Sequence, residues 1–426
     1  MRGLITNIEI AIFTKKVTPG QAGKAIDKTM IDNTITKADT YMFNTYKRFP
    51  ITLVKGDGCK VWDEKGNEYI DFVGGIAVCA LGHSSPIVSK AIYEQSKKLV
   101  HVSNLFYTQP QAELAQILVE NSFADRVFFC NSGAEANEAA IKLARRYSKE
   151  KFGPAKYAII TMENSFHGRT MATLSATGQE KIRIGFDPFL EDFRYIPFND
   201  LDTLNTAIDS SVCAVMLEPI QGEGGVVVPD SDYLKGVKEI CQKHDVLLIL
   251  DEVQAGMGRT GRLFSYEHFG IVPDIMTLAK ALGNGLPVGA MLATEKLADA
   301  FGPGSHATTF GGTPLITAGA LAVVKNLLND GWIENAKTMG DYFKNQLANL
   351  QKQYNIIKDI KGLGLILGVL LDRNGADIVN ACMEKGVLIN CVQGNILRFV
   401  PPLIITKNEI DRLITCLDEI FKAIKT

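Results

Sequence analysis

The stretch Val246–Gly289 most narrows what this chain can fold into. Val246-Leu-Leu-Ile-Leu250 is uncharged, apolar and bounded by polar residues. Too short for a globular helix, it reads as a strand buried on both faces, which is how strands of a parallel sheet read. The run ends in acid, Asp251-Glu252, and a second short run, Asp274-Ile-Met-Thr-Leu-Ala279, delivers Lys280 into the turn Ala281-Leu-Gly-Asn-Gly-Leu-Pro287. One carboxylate and one amine are therefore expected at the ends of neighbouring strands. In open α/β sheets, the crevice beyond the carboxyl ends of the strands is where ligands bind.

The rest of the chain supplies a sheet for those strands to join. Short runs at Ile51–Val54, Cys59–Trp62 and Glu68–Phe72, split by Gly56-Asp-Gly58 and Lys65-Gly-Asn67, predict a small meander. From Gln111 onward helical and strand patterns alternate, the signature of a parallel sheet flanked by helices. Strand Val127–Cys130 runs into Asn131-Ser-Gly-Ala-Glu135, where Ser132 and Glu135 match a capping box. The helix that starts there offers free N–H groups and a positive dipole end to an anion. Val212–Leu217 predicts a strand, Asp232–Lys243 a helix, and Ala290–Ala293 a further helix. A long helical stretch from about Pro314 into the 350s then leads to a C-terminal lobe, in which Arg398 sits alone in an apolar strand. For a solitary arginine the ordinary reading is an edge strand turning the charge outward.

Composition excludes several classes. With 426 residues the chain exceeds one simple core, and its net charge of −2 shows no basic excess that would suit nucleic acid. No apolar run approaches the roughly 20 residues of a membrane span. The eight cysteines never form CxxC and lie mostly in apolar runs, so they read as reduced core residues, not as zinc ligands or a disulfide framework. No metal site is expected. Residues 1–38 read as a poorly specified extension, with Met30 as an alternative start.

A lysine among apolar groups at a strand end has its pKa drawn down and becomes a usable nucleophile or imine former, although most single lysines are solvated surface residues. A carboxylate beside it raises its standing, since a lysine and a carboxylate are the pair that holds pyridoxal phosphate. A dinucleotide enzyme competes: Gly256-Met-Gly-Arg-Thr-Gly261 spells GxGxxG, with Asp274 at a ribose-binding distance. Its glycines begin five residues past the strand, whereas the fingerprint belongs in the turn immediately after it.

Taken together, the motifs resemble the class III aminotransferases of pyridoxal-phosphate fold type I. The likeness runs from about residue 38 to the end, through Gly74-Gly-Ile-Ala-Val78, Ala80-Leu-Gly-His83, Asn131–Glu138, Phe166-His-Gly-Arg169, Glu218–Gly225, Asp251-Glu-Val-Gln254, Ala279-Lys-Ala-Leu282 and Leu397-Arg-Phe-Val-Pro401. It implies an α/β fold with a large, mostly parallel sheet domain (81–325) and a small α+β domain formed by both chain ends (39–80 and 326–426).

The resemblance also implies roles. Lys280 would carry pyridoxal phosphate covalently and move the proton during transfer, and Asp251 would keep the pyridine nitrogen protonated. Ser132, Gly133 and Ala134 would hold the phosphate, Phe166 and Val253 would sandwich the ring, and Gln254 would reach its hydroxyl. Thr309 would cap the phosphate of a neighbouring subunit, which implies a homodimer. Arg169 would clamp a substrate carboxylate, Arg398 would hold 2-oxoglutarate, and Glu223 would cover Arg398 in the other half-reaction. Thr308 stands beside the substrate where serine is usual, and Ala134 where threonine is frequent. The implied reaction is cytoplasmic, ping-pong transfer of the δ-amino group of N2-acetylornithine to 2-oxoglutarate, a step of arginine biosynthesis. 4-Aminobutyrate, ornithine and succinyldiaminopimelate are the alternative substrates; Ile76 stands where ornithine enzymes are expected to carry tyrosine.

Overall fold

The structure, a computed structural model, describes residues 34–425, so most of the extension at 1–38, Met30 included, lies outside the described residues. Among the described residues, those from Thr34 to Thr52 belong to one unit, which carries the helix Thr34–Tyr41. Leu53–Thr426 form a second unit.

The second unit opens with the expected meander, β1 (Leu53–Asp57), β2 (Lys60–Asp63) and β3 (Glu68–Asp71). Asp63 closes the β2–β3 turn by accepting the N–H groups of Lys65 at 2.9 Å and Asn67 at 2.8 Å.

The central sheet holds seven strands: β4 (Arg126–Cys130), β5 (Ala158–Met162), β6 (Phe193–Ile196), β7 (Val212–Leu217), β8 (Leu247–Asp251), β9 (Ile275–Leu278) and β10 (Gly289–Ala293). Their spatial order is β4-β10-β9-β8-β7-β5-β6. The run from β9 to β6 is parallel, and β10 alone is antiparallel to both its neighbours. All residues of β5, β7, β8, β9 and β10 are buried, which explains the unbroken apolar runs. Alternation survives in where the side chains go. Along β8, Leu247 and Ile249 join the cluster under the helix Gly133–Phe152, while Leu248 and Leu250 join the core on the opposite face.

One sequence expectation fails here. Ala290–Ala293 forms no helix: Ala290 pairs with both Leu278 and Phe129, so the segment is locked between two strands and its small residues fill a crowded sheet interior. The helical stretch expected from Pro314 into the 350s is present as two helices, Pro314–Asn329 and Trp332–Gln353, broken where Gly331 takes a left-handed φ of 78°.

The C-terminal part contributes β11 (Ile357–Leu363), β12 (Ile366–Leu371), β13 (Val387–Leu388), β14 (Asn390–Val392) and β15 (Ile396–Phe399). β13 adds in parallel to β3, so the first sheet is completed by both halves of the chain. The others form an antiparallel sheet of order β11-β12-β15-β14. β15 is therefore an interior strand, and Arg398, opposite Gly368 on one side and Asn390 on the other, is 1% exposed. The outward-facing edge arginine expected from its isolation is corrected to a buried one.

Candidate active site

Asp251 ends β8 and Thr277, its register partner, lies on β9. Three residues beyond, Lys280 opens a short turn with a left-handed φ of 44°, an uncommon conformation for a residue with a side chain. Both Lys280 and Asp251 line a cavity of about 380 Å3 at the carboxyl ends of the strands. Ser132, Gly133, Ala134, Phe166, Arg169, Val253 and Gln254 line it as well. Nine of the residues singled out from sequence thus meet around one space.

Burial lowers the Lys280 pKa, and the Arg398 guanidinium adds to this while Glu223, Asp251 and Glu218 oppose it. Part of the residue's surface stays open to the cavity it lines. A less basic amine holds a larger neutral fraction near pH 7, and the neutral amine is the nucleophile.

Asp251 is held by residues that the sequence reading passed over. Its Oδ2 accepts from His167 Nδ1 at 2.8 Å and from Asn137 Nδ2 at 2.7 Å, and its Oδ1 accepts from Val253 N at 3.0 Å. Asn137 also donates to His167 O and accepts from Thr277 Oγ1, both at 2.7 Å. The amide is fixed at both ends, so the carboxylate it faces is fixed too. A signal was present: Asn137 lies one helical turn after Gly133, and His167 sits inside the Phe166–Arg169 motif.

Across the cavity, the Ser132 hydroxyl caps the helix by accepting from Glu135 N at 3.2 Å. The Glu135 carboxylate reaches back to Asn131 N at 2.7 Å, one residue earlier than a regular capping box. With Ser132 occupied as a cap, the first N–H groups, those of Gly133 and Ala134, are left without partners inside the helix. A Cβ on Gly133 would meet Val253 Cγ1 at 2.8 Å, so only glycine allows this approach.

Glu218, just past the end of β7, is a third residue given no role from sequence. Its carboxyl accepts from Phe166 N at 3.0 Å and Gly222 N at 3.4 Å, tying the loop of Phe166 and Arg169 to the glycine loop of Glu223. Burial pushes the Glu218 carboxyl up to about 7 from 4.5. A carboxyl raised on folding carries no penalty below its unfolded pKa and the full penalty above its folded one, so stability falls as pH rises between the two. Compared with Glu218→Gln, the cofactor-free wild-type chain should lose on the order of 3 kcal/mol between pH 4.5 and 7. Parallel urea-denaturation profiles for the two proteins across that window would show that the carboxyl is solvated.

Four expected site residues lie outside the cavity lining. Arg398 Nη1 pairs with Glu223 Oε1 and donates to Gln254 Oε1 at 3.2 Å, while Gln254 Nε2 donates to Glu223 Oε1 at 3.3 Å. Burial raises the Glu223 pKa and the Arg398 pair more than reverses that, leaving it below the usual carboxylate value. Gln254 thus connects the closed pair to the cavity. The Thr308 hydroxyl accepts from Asn131 Nδ2 at 3.1 Å, and Thr309 is exposed and faces no part of this cavity. Arg169 is exposed at the cavity, its guanidinium carbon 5.6 Å from the Phe166 ring centroid.

The GxGxxG segment is core packing. No helix follows Gly261 directly, and Arg259, 1% exposed, donates to Leu365 O at 3.1 Å and to Pro401 O. Asp274 is consumed by Leu248 N at 2.8 Å and by Lys238 and Lys296.

A helix N-terminus for an anion, a lysine of lowered pKa and a fixed carboxylate form the donor set that pyridoxal phosphate requires of a protein. Comparisons with known proteins agree. A family model described as Aminotransferase class-III matches residues 41–421. An acetylornithine aminotransferase of Caldanaerobacter subterraneus subsp. tengcongensis is 53% identical, covering 92% of this chain and 100% of its own length. That of Methanocaldococcus jannaschii is 50% identical over 92% of this chain and 99% of its own. Among solved structures, an ornithine aminotransferase from Toxoplasma gondii superposes with a TM-score of 0.89 at 34% identity, covering 92% of this chain and 94% of that one. An N-acetylornithine aminotransferase from Stenotrophomonas maltophilia superposes at 0.79 with 40% identity, covering 91% of this chain and 100% of that one. This chain therefore belongs to the class III aminotransferases, pyridoxal-phosphate-dependent enzymes of fold type I.

Proposed function

We propose that this enzyme moves the δ-amino group of N2-acetyl-L-ornithine to 2-oxoglutarate, giving N-acetyl-L-glutamate 5-semialdehyde and L-glutamate. The activity carried by the names of its relatives supports this substrate. Pyridoxal phosphate, when bound, supplies the electron sink for the carbanion left at the substrate carbon. Gly133 and Ala134 N–H groups hold its phosphate next to the Ser132 cap, Phe166 and Val253 hold its ring, and Gln254 meets its hydroxyl. Asp251, held by Asn137 and His167, keeps the ring nitrogen protonated. The Lys280 amine would hold the cofactor at rest and, once released, would take the proton from the substrate carbon that bears the departing amine. Thr309, exposed and away from its own cavity, reaches the phosphate in a second copy of the chain, so that the working unit is a homodimer. The eight cysteines, free in the structure, suit the reducing cytoplasm.

The observation that carries the substrate reading is the closed Arg398–Glu223 pair beside the cavity. Acetylornithine presents its terminal amine and has no carboxylate to offer Arg398, and a buried unpaired guanidinium is costly. Glu223 neutralises it in that half-reaction. Arg169 takes the α-carboxylate of acetylornithine in that half-reaction, and Glu223 swings away on its glycine loop when the α-carboxylate of 2-oxoglutarate or glutamate needs Arg398. Glu223→Ala should raise the specificity constant for glutamate relative to acetylornithine by about tenfold, and Arg398→Ala should weaken 2-oxoglutarate by about 10²-fold more than acetylornithine. Single-turnover specificity constants for each half-reaction give both ratios, and equal losses in the two halves would mean that the pair only supports the fold.

A further inference from the structure

We propose that Gln393, held by Lys181, is a positioning residue that latches Glu223 closed over Arg398 and so sets how readily the site admits a dicarboxylate. The latch presupposes the Arg398–Glu223 switch and supplies what keeps that switch shut. The β14–β15 hairpin grips Glu223 at two points. From β15, Arg398 Nη1 takes its carboxylate. From the turn Gln393-Gly-Asn395 between the two strands, Gln393 Nε2 donates to its main-chain oxygen at 2.8 Å. The other end of the same amide is also engaged, since Lys181 Nζ donates to Gln393 Oε1 at 3.1 Å. An ammonium only donates and a carbonyl only accepts, so these two partners fix which way the amide faces.

The loop so held is short and anchored at its base. Gln221 and Val227 exchange two backbone hydrogen bonds, each of 3.0 Å, and close it like a small hairpin. Inside that closure, a Cβ on Gly224 would meet Asn164 O at 2.8 Å and one on Gly225 would meet Ile396 Cδ1 at 2.7 Å, so the loop lies tight between Asn164 and β15. Gly222 and Gly224 flank Glu223, and glycine turns through backbone conformations closed to other residues. With the Glu223 carbonyl fixed, the peptide that follows is fixed too, and the side chain stays aimed at Arg398. Opening the pair for a dicarboxylate then breaks the Gln393 bond as well. A ligand that binds only the open state loses apparent affinity in proportion to how rarely that state is populated. One net hydrogen bond changes such a population by about two- to tenfold.

The test is equilibrium titration of the holoenzyme with glutarate, a dicarboxylate with neither an amine nor a keto group to react, beside single-turnover kinetics with glutamate and acetylornithine. Gln393→Met removes both hydrogen bonds, keeps the side chain's length, adds no charge and meets the left-handed φ of 51° no worse than glutamine. It should tighten the glutarate Kd by about two- to tenfold and raise the specificity constant for glutamate over that for acetylornithine by the same factor. Lys181→Met also removes a charge that attracts the dianion, so it is read in both backgrounds. It should weaken glutarate binding more when Gln393→Met is already in place, where no latch remains to be loosened. Glutarate affinity and a half-reaction ratio unchanged by Gln393→Met would overturn the latch, as would equal losses in the two half-reactions. Glutarate binding by Arg398→Ala as tight as by the wild type would instead overturn the switch on which the latch rests.

Discussion

Lys280→Ala is expected to fold and to lose turnover by at least about 10⁴-fold, because the proposed function has this one amine both hold the cofactor and move the proton. Folding should survive because Lys280 lies at the cavity and its ammonium is disfavoured there by burial, so truncation removes a poorly solvated charge from a space that can take water. The helix N-terminus at Gly133 is untouched, so noncovalent cofactor binding should persist. Circular dichroism and cofactor content, measured beside steady-state turnover, separate loss of chemistry from loss of structure. Turnover near that of the wild type would remove Lys280 from the reaction.

Asp251→Asn should lower kcat by on the order of 10² to 10⁴, since a neutral amide cannot stabilise a protonated ring nitrogen. The geometry around it sharpens this expectation. Two donors, His167 Nδ1 and Asn137 Nδ2, converge on Oδ2, and Val253 N points at Oδ1. Whichever way the asparagine amide turns, its NH₂ group faces at least one of these donors. The variant should therefore also lose about 1 to 3 kcal/mol of stability. A kcat within about tenfold of wild type would make Asp251 a structural carboxylate, since each such factor is about 1.4 kcal/mol of barrier.

The strands that carry the site were legible because they are buried on both faces: Leu247–Asp251 and Ile275–Leu278 could be read as strands from their apolar runs alone. Gly289–Ala293 was misread because alanine, methionine and leucine favour helix, and only the flanking strands, with Phe129 and Leu278 on either side of Ala290, decide otherwise. Arg398 was misread for a related reason. Its counter-ion, Glu223, is 175 residues away, so no local pattern could announce a buried pair. The supports of Asp251 left a fainter trace, with Asn137 on the inward turn of its helix and His167 within a motif already noted. Glu218 left less still, since a buried acid that braces two loops by accepting backbone N–H groups looks in sequence like any strand-terminal acid.

Substrate choice is the claim on which the rest depends, and the half-reaction tests it most directly. Holoenzyme would be mixed in single turnovers with N2-acetylornithine, ornithine, 4-aminobutyrate, succinyldiaminopimelate and glutamate, following the cofactor's visible absorbance. The expected result is that acetylornithine converts the enzyme with a specificity constant at least about tenfold above the other terminal amines, a difference of about 1.4 kcal/mol, and that 2-oxoglutarate restores the starting spectrum. Ornithine or 4-aminobutyrate reacting as fast as acetylornithine, or faster, would contradict it.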